Sequence, residues 1–397
     1  MKELSRITET FTESVIREMT RISDSMNGIN LSQGFPDFET SDEIKDAAIR
    51  AIKNGFNQYP VTFGEPELRD AIAKKALSYN KIICNPETDI TVTCGATEAM
   101  LATLKAIINH GDEIIIFEPF YENYGPDGIL SGATPRYVTL RTPDWSYDSK
   151  ELAAAFNEKT KAIIINTPNN PTGKVFSKAE LSEIAMLCNN WDAFAITDEI
   201  YEHIIYDDEK HISIGSLPGM EDRTITINSI SKTYSVTGWR VGWAIANPQV
   251  TKRIRKIHDF MTVGAPTPLQ HAASEALCFP ESYYQKLQKQ YLNAREFLFS
   301  TLTNAGFKPY LPKGAYYIIA DYSDFDKRLK SSDDADFSRK LIETTRVATV
   351  PGFSFYSKKI KKTNQVRFAF CKKVETLQLV KELFSKHLVE IDAKIAK

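Results

Sequence analysis

Between about residue 45 and residue 280 the chain alternates short apolar runs with longer amphipathic stretches, and this rhythm limits the fold more than any single motif. Ile114–Phe117, Ala162–Asn166, Phe194–Thr197 and Thr224–Asn228 have strand length and are rich in isoleucine and threonine. Strands that read as near-continuous apolar runs are buried on both faces. The stretches between them, such as Lys178–Asn189, carry helical periodicity. A βα rhythm of this kind predicts an α/β fold, a mostly parallel sheet covered on both faces by helices. In such sheets ligands collect just beyond the carboxyl ends of the strands, so the residues after each run are the ones to read for chemistry.

After Pro280 the pattern changes. A long amphipathic helix over about 282–304 leads into strands at Ala315–Ile319 and Val347–Val350, with helices between and after. This predicts a large domain over 46–280 and a smaller α+β domain made of 1–45 and 281–397, with Pro280 near the hinge. A chain of 397 residues suits about two to three structural units. Its 42% hydrophobic content is enough for sizeable cores.

Several run ends carry residues with chemical potential. Ile90–Thr93 passes through Cys94 to Gly95, Ala96 and Thr97, and an apolar periodic stretch follows through Leu104 and Ile108. Strand, tight turn and helix N-terminus in that order make an anion site, because unpaired N–H groups and the helix dipole face one point. Thr97 adds a hydroxyl there, or is the N-cap of an ordinary turn. Ala162–Asn166 runs into Thr-Pro-Asn169-Asn170-Pro171-Thr-Gly173, dense in turn residues. Asn170 precedes a proline, which favours extended backbone and fixes the direction of its amide. That amide suits a cofactor ring oxygen or a substrate carboxylate. Phe194–Thr197 ends at Asp198, Glu199 and, two residues further, Tyr201. A carboxylate here can pair with a cationic ring nitrogen; a solvated loop or helix cap is the other reading.

Thr224–Asn228 leads to Ser229-Ile-Ser-Lys232 and then to Gly238-Trp-Arg240-Val-Gly242. A lysine among small and hydroxylated residues can form a Schiff base with an aldehyde cofactor. Ser229 and Arg240 can hold a phosphate. Otherwise the segment is a strand-to-loop passage with an exposed lysine. In Gln365–Phe370 the alternation puts Arg367 opposite Val366 and Phe368. Its planar fork matches a carboxylate, although a lone strand arginine also serves as a surface charge.

With Leu31-Ser-Gln33-Gly34-Phe-Pro36-Asp37-Phe38 at the front, these segments span Leu31 to Phe370 and resemble, in order, the class I aminotransferases. The resemblance implies the type I PLP-dependent transferase fold and pyridoxal 5'-phosphate (PLP) as cofactor. It implies Lys232 as the lysine that carries PLP and moves the substrate's α-proton, Asp198 on the pyridine nitrogen and Tyr201 on the ring's phenolic oxygen. Gly95, Ala96, Thr97, Ser229 and Arg240 would surround the phosphate. Tyr121 would stack on the ring, where many members carry tryptophan. Arg367 would grip the substrate α-carboxylate, with Asn170 and the Gly34 backbone close by. Tyr59 would reach the neighbouring subunit's phosphate, which makes the enzyme a homodimer with shared active sites. An L-amino acid and a 2-oxo acid would then exchange the amino group by a ping-pong mechanism.

The opening loop, together with Val350-Pro-Gly-Phe-Ser-Phe-Tyr356, looks most like the kynurenine, glutamine and methionine aminotransferase branch. That implies a neutral, sulfur-containing or aromatic donor. Tyr201–Tyr206 and Gly238–Arg240 also resemble aspartate and aromatic aminotransferases, so aspartate stays an alternative, although no second arginine maps to an acidic side chain. A carbon–sulfur β-lyase on the same scaffold is the other alternative.

Composition narrows the partners. A formal net charge of −2 creates no field that favours nucleic acid or a membrane surface. Cys84, Cys94, Cys188, Cys278 and Cys371 are odd in number and form no C-x-x-C pair, which predicts reduced thiols and a cytoplasmic protein. The six histidines show no paired ligand spacing, so no metal is expected, and His203 reads as a loop or core residue. The N-terminus is mixed in charge and does not read as a signal peptide. No run has transmembrane length. Lys358, Lys359, Lys361 and Lys362 read as a solvated basic loop.

Overall fold

The computed structural model describes residues 2–357, 360 and 362–395. Lys358, Lys359 and Lys361 of the basic cluster lie outside the described residues. The strands are β1 (Ile29–Asn30), β2 (Ile90–Thr93), β3 (Glu113–Glu118), β4 (Thr134–Thr139), β5 (Thr160–Asn166), β6 (Phe194–Asp198), β7 (Thr224–Ser229) and β8 (Gly242–Ile245). After them come β9 (Lys308–Pro309), β10 (Tyr317–Asp321), β11 (Val347–Ala348), β12 (Val350–Pro351) and β13 (Gln365–Ala369).

β2 to β8 form one seven-stranded sheet in the order β2-β8-β7-β6-β5-β3-β4. The expected α/β architecture is present, and its physical cause is visible in the isoleucine runs. Ile115, Ile163 and Ile165 pack into one core with Leu181 and Ile184 of the helix Lys178–Asn190. Their neighbours Ile114, Ile116 and Ile164 point the other way, into a core shared with Leu104 of the helix Ala96–Ile107 and Ile254 of the helix Pro248–Met261. Successive residues therefore bury on opposite faces, and each buried isoleucine contributes about 1.5–3 kcal/mol. The amphipathic helix Lys178–Asn190 starts at a capping box between Ser177 and Glu180, which fixes its entry onto the sheet.

β3 to β7 pair in parallel, while β8 runs antiparallel to both β7 and β2. β2 therefore points the same way as β5, β6 and β7. The carboxyl ends of these four strands, at Thr93, Asn166, Asp198 and Ser229, share one edge of the sheet. Because β8 is reversed, its first residue Gly242, with Arg240 just before it, arrives at that same edge.

Beyond Pro280 the helix Glu281–Ala305 leads into an antiparallel sheet of order β12-β13-β10-β9. Leu298, Phe307, Phe325, Phe337, Phe368 and Phe384 fill its core. The N-terminal β1 pairs in parallel with β11. Tyr201, Ile204 and Tyr206, just past β6, pack into this same core, so the two sheets meet beside the strand ends.

Three details differ from the sequence reading. The stretch Val347–Val350 is two strands: β11 pairs with β1, β12 pairs with β13, and the chain changes partner at Thr349, whose hydroxyl bonds Arg367 O at 2.6 Å. The strand expected from Ala315 begins at Tyr317, because Ala315 takes a left-handed φ of 56° and its N–H bonds Ile204 O. The helix after β2 is capped by Gly95 at φ 85°, not by Thr97, which is exposed in the first turn.

Candidate active site

The turn after β2 is shaped by glycine. A Cβ on Gly95 would lie 2.2 Å from Arg240 Nη2, and one on Gly242 would lie 2.5 Å from Ala96 N. Only residues without a side chain let the guanidinium close over the N-terminus of Ala96–Ile107. Arg240, itself at φ 55°, donates from Nη1 to Thr237 O at 2.9 Å and from Nη2 to Cys94 O at 3.4 Å. Behind the turn, the Glu98 carboxylate meets His258 Nδ1 at 2.6 Å and accepts from Cys94 N. Ser229 is buried at the end of β7. The helix N-terminus, the Ser229 hydroxyl and the Arg240 guanidinium thus lie along one sheet edge, and all three are donors suited to a doubly charged phosphate.

Next to this cradle stand an acid and a base. Asp198 is only 6% exposed, and burial pushes its pKa up to about 6 against the hydrogen bond from Tyr124. Tyr124 Oη donates to Asp198 Oδ2 at 2.6 Å. Asn166 ties the neighbouring strand end into place: its Nδ2 donates to Asp198 O at 2.9 Å and its Oδ1 accepts from Asn170 N at 2.7 Å. Lys232 Nζ donates to Gly34 O at 3.3 Å and lies 5.8 Å from the ring centres of both Tyr201 and Tyr316. Loss of water around this amine lowers its pKa to about 8, so an appreciable neutral fraction exists near physiological pH. Tyr121 is half-buried and meets Tyr124 edge-on at 5.8 Å.

Arg367 is 1% exposed, so its surface-charge reading is excluded. Nη1 donates to Asn170 Oδ1 at 2.8 Å and Nη2 to Ser32 O, while Nε has no partner among the described residues. The guanidinium lies over the Tyr317 ring at 4.2 Å and the Phe355 ring at 4.8 Å. Gly34 O also accepts from Tyr316 Oη at 2.9 Å, which holds the N-terminal loop against this face. Gly34, Asn170, Tyr201, Lys232 and Arg367 are therefore linked through shared partners at one strand edge. Tyr59 is different, standing 84% exposed at the surface.

Sequence reasoning gave no role to Tyr124, Asn166, Tyr316 or Tyr317. Asn166 carried a usable signal, because it ends a buried strand one motif ahead of Asn170. The tyrosines carried none beyond strand or helix packing.

A second polar group lies behind β6. Ligand atoms of Glu199, Glu202 and His211 fall within 4.8 Å of one another. The space between the carboxylates is already occupied: Asn80 Nδ2 donates to Glu199 at 3.1 Å and to Glu202 at 2.7 Å, and Lys75 pairs with Glu202. His203 beside them is buried, and burial lowers its pKa to about 3, which keeps it neutral. These donors make the group a polar belt that braces the strand end.

A family model for aminotransferase class I and II matches residues 26–383. The chain belongs to this family. It is 36% identical over 403 residues to human kynurenine–oxoglutarate transaminase 1, a match covering 94% of this chain and 96% of the relative. Among solved structures, N-succinyldiaminopimelate aminotransferase from Mycobacterium tuberculosis superposes with a TM-score of 0.92 at 33% identity, over 97% of this chain and 100% of that one. YbdL from Escherichia coli, described with a methionine aminotransferase function, gives 0.91 at 32% identity with the same coverage.

This aminotransferase is PLP-dependent, as its family is. Its residues fit the cofactor. The glycine-lined cradle would be filled by any Cβ, Asp198 is a buried carboxyl suited to a cationic ring nitrogen, and Lys232, which interacts electrostatically with both Asp198 and Arg240, offers a reactive amine. Among the described residues no helix is long and apolar enough to cross a membrane.

Proposed function

We propose that this aminotransferase takes the amino group from a neutral aromatic or sulfur-containing L-amino acid, passes it to a 2-oxo acid, and works as a homodimer with shared sites. The observation that carries the donor class is the wall around Arg367. Tyr317 and Phe355 flank the guanidinium, and Tyr201 and Tyr316 stand beside Lys232, so the space next to the carboxylate grip is aromatic. Such a wall favours apolar and aromatic side chains over a second carboxylate. The human relative's name and that of the E. coli neighbour point the same way.

Bound PLP supplies an electron sink for negative charge developing at the substrate α-carbon. The protein's part is binding, orientation and proton movement. The turn at Gly95–Thr97, Ser229 and Arg240 hold the phosphate and fix the ring. Asp198, ionised above about pH 6, would pair with a protonated ring nitrogen and favour the cationic form of the ring. Tyr121 covers one ring face. Tyr201 donates to the phenolic oxygen. Arg367, Asn170 and the Gly34 backbone would set the substrate carboxylate and so fix the orientation of the bonds at the α-carbon. With the cofactor bound, the neutral Lys232 amine would take the substrate's α-proton as a general base and give it back as a general acid.

Tyr59 fits this account as a residue offered to a second copy. Tyr59, Val61, Phe260, Met261 and Val263 are all exposed, and the two segments meet where Pro60 packs within 2.8 Å of where a Gly264 side chain would begin. This apolar patch adjoins the phosphate turn through Cys94 Sγ, 3.6 Å from Gly264 O. Burial of the patch by a partner subunit would place Tyr59 at the partner's cradle. The division into a large unit over 46–280 and a small unit of 1–45 with 281–397 belongs to the same proposal. So does a cytoplasmic location, which the five free cysteines favour.

The donor class is tested by single-turnover absorbance with methionine, kynurenine, phenylalanine, glutamine, glutamate and aspartate in turn. Aromatic and sulfur-containing donors are expected to convert the cofactor fastest. Fastest conversion by aspartate or glutamate would overturn the donor class, and release of pyruvate and ammonia without an added oxo acid would identify a β-lyase. Arg367→Ala is expected to lower kcat/KM by about 10²–10³-fold for every donor alike, since two charge-assisted hydrogen bonds to a group common to all are lost. A loss confined to one donor class would instead place Arg367 at the side-chain pocket.

A further inference from the structure

Tyr317 sits where the carboxylate grip and the cofactor ring meet, and no step above uses it. Its ring lies 4.2 Å from the Arg367 guanidinium. Its hydroxyl lies 3.0 Å from Tyr201 Oη, in a buried pair. The same hydroxyl closes against the N-terminal loop, since a Cβ on Gly34 would stand 1.9 Å from it. Arg367 thus fixes the ring and Gly34 limits the swing of the hydroxyl, which leaves Tyr317 Oη aimed at Tyr201.

A phenol has one proton to give and lone pairs to receive. If Tyr201 is to donate outward, its shared contact with Tyr317 must be one it accepts. The donor in that contact must then be Tyr317. We propose that Tyr317 is a positioning residue for amino transfer: its hydroxyl donates to Tyr201 Oη and so turns the Tyr201 proton towards the cofactor's phenolic oxygen. The inference rests on the reading of Tyr201 given above and adds a second member to it. Linked hydrogen bonds polarise one another, by roughly 10–30% per bond, so Tyr317 strengthens the bond that Tyr201 makes. The titratable groups facing the pair are Arg367 and Cys371 from the C-terminal unit, Tyr316 beside it, and Asp198, Lys232 and Tyr121 from the large sheet. None of these is removed by the substitution that tests the idea.

The test is a spectral pH titration of the holoenzyme, comparing the parent with Tyr317→Phe, Tyr201→Phe and the double variant. The phenolic oxygen shares the proton of the lysine-linked nitrogen, and a hydrogen bond to that oxygen competes for it. Weakening the bond therefore raises the pH at which the visible band changes. Tyr201→Phe should raise this midpoint most. Tyr317→Phe should raise it by about half a unit, and the double variant should match Tyr201→Phe alone. Because phenylalanine keeps the ring over Arg367, KM for amino acids should stay within about twofold while kcat falls about threefold.

A Tyr317→Phe midpoint equal to the parent's, with Tyr201→Phe shifted, would overturn the inference and leave the Tyr201 reading standing. Unchanged midpoints in both would overturn both. Additive shifts in the double variant, or a rise in KM without a shift, would show that Tyr317 acts apart from Tyr201 and would also overturn it.

Discussion

Lys232→Ala is expected to lower turnover by about 10⁴-fold, the upper end of what a general acid–base group contributes, while the variant still binds PLP without a covalent link. The two parts separate because different atoms carry them. In the proposed site the phosphate would be held by the Gly95–Thr97 turn, Ser229 and Arg240, none of which depends on the lysine side chain. The proton would be moved by an amine that burial keeps partly neutral, at a pKa of about 8. For a base lowered in this way the sign is direct: the neutral, competent fraction grows as pH rises through about 8 and shrinks below it. Steady-state rates and equilibrium dialysis with PLP check both halves. Turnover within tenfold of the parent would remove Lys232 from the chemistry.

Asp198→Asn is expected to cut kcat by about 10²–10³-fold and yet to stabilise the cofactor-free protein. Asn keeps an acceptor for Tyr124 Oη, so packing is largely preserved. What disappears is a buried charge. The carboxyl rises from 3.8 to about 6, mainly because burial disfavours the ionised form, and a shift of that size corresponds to ~3 kcal/mol. Below the unfolded value both states are protonated and no cost exists. As pH rises from 3.8 to about 6 the folded state keeps the extra proton and stability falls, and above about 6 the full cost stands. At pH 8, denaturant unfolding of the cofactor-free variant should therefore show a gain of up to ~3 kcal/mol over the parent. The gain reverses once PLP is bound, because the ring cation offsets the charge only in the parent. A variant with near-normal kcat, or one less stable without cofactor, would contradict this role for Asp198.

Much of this site was legible because strand ends and chemistry coincide. Buried isoleucine runs mark the strands, and the residues just past them, Asn170, Asp198 and Lys232, need only a parallel sheet to become neighbours. Arg240 was legible as a motif, but its arrival at the same edge depends on the reversal of β8, which no local pattern in Gly242–Ile245 announces. Arg367 was readable by alternation alone as facing either solvent or core; its burial comes from Phe355 and Tyr317, contributed by other segments. The bond from Tyr124 to Asp198 and the one between Tyr317 and Tyr201 join residues far apart in sequence, and only packing of the helix and sheets sets them. The break at Thr349 has the same origin. β-branched residues continue across it, and the switch from β1 to β13 as partner is decided by tertiary pairing.

The most direct measurement is borohydride reduction of the purified holoenzyme, followed by peptide mass mapping. The account predicts one modified peptide, carrying the phosphopyridoxyl mass on Lys232, and no visible band left to bleach on adding donor. Modification at another lysine, or none after PLP is supplied, would contradict the claim that Lys232 carries the cofactor.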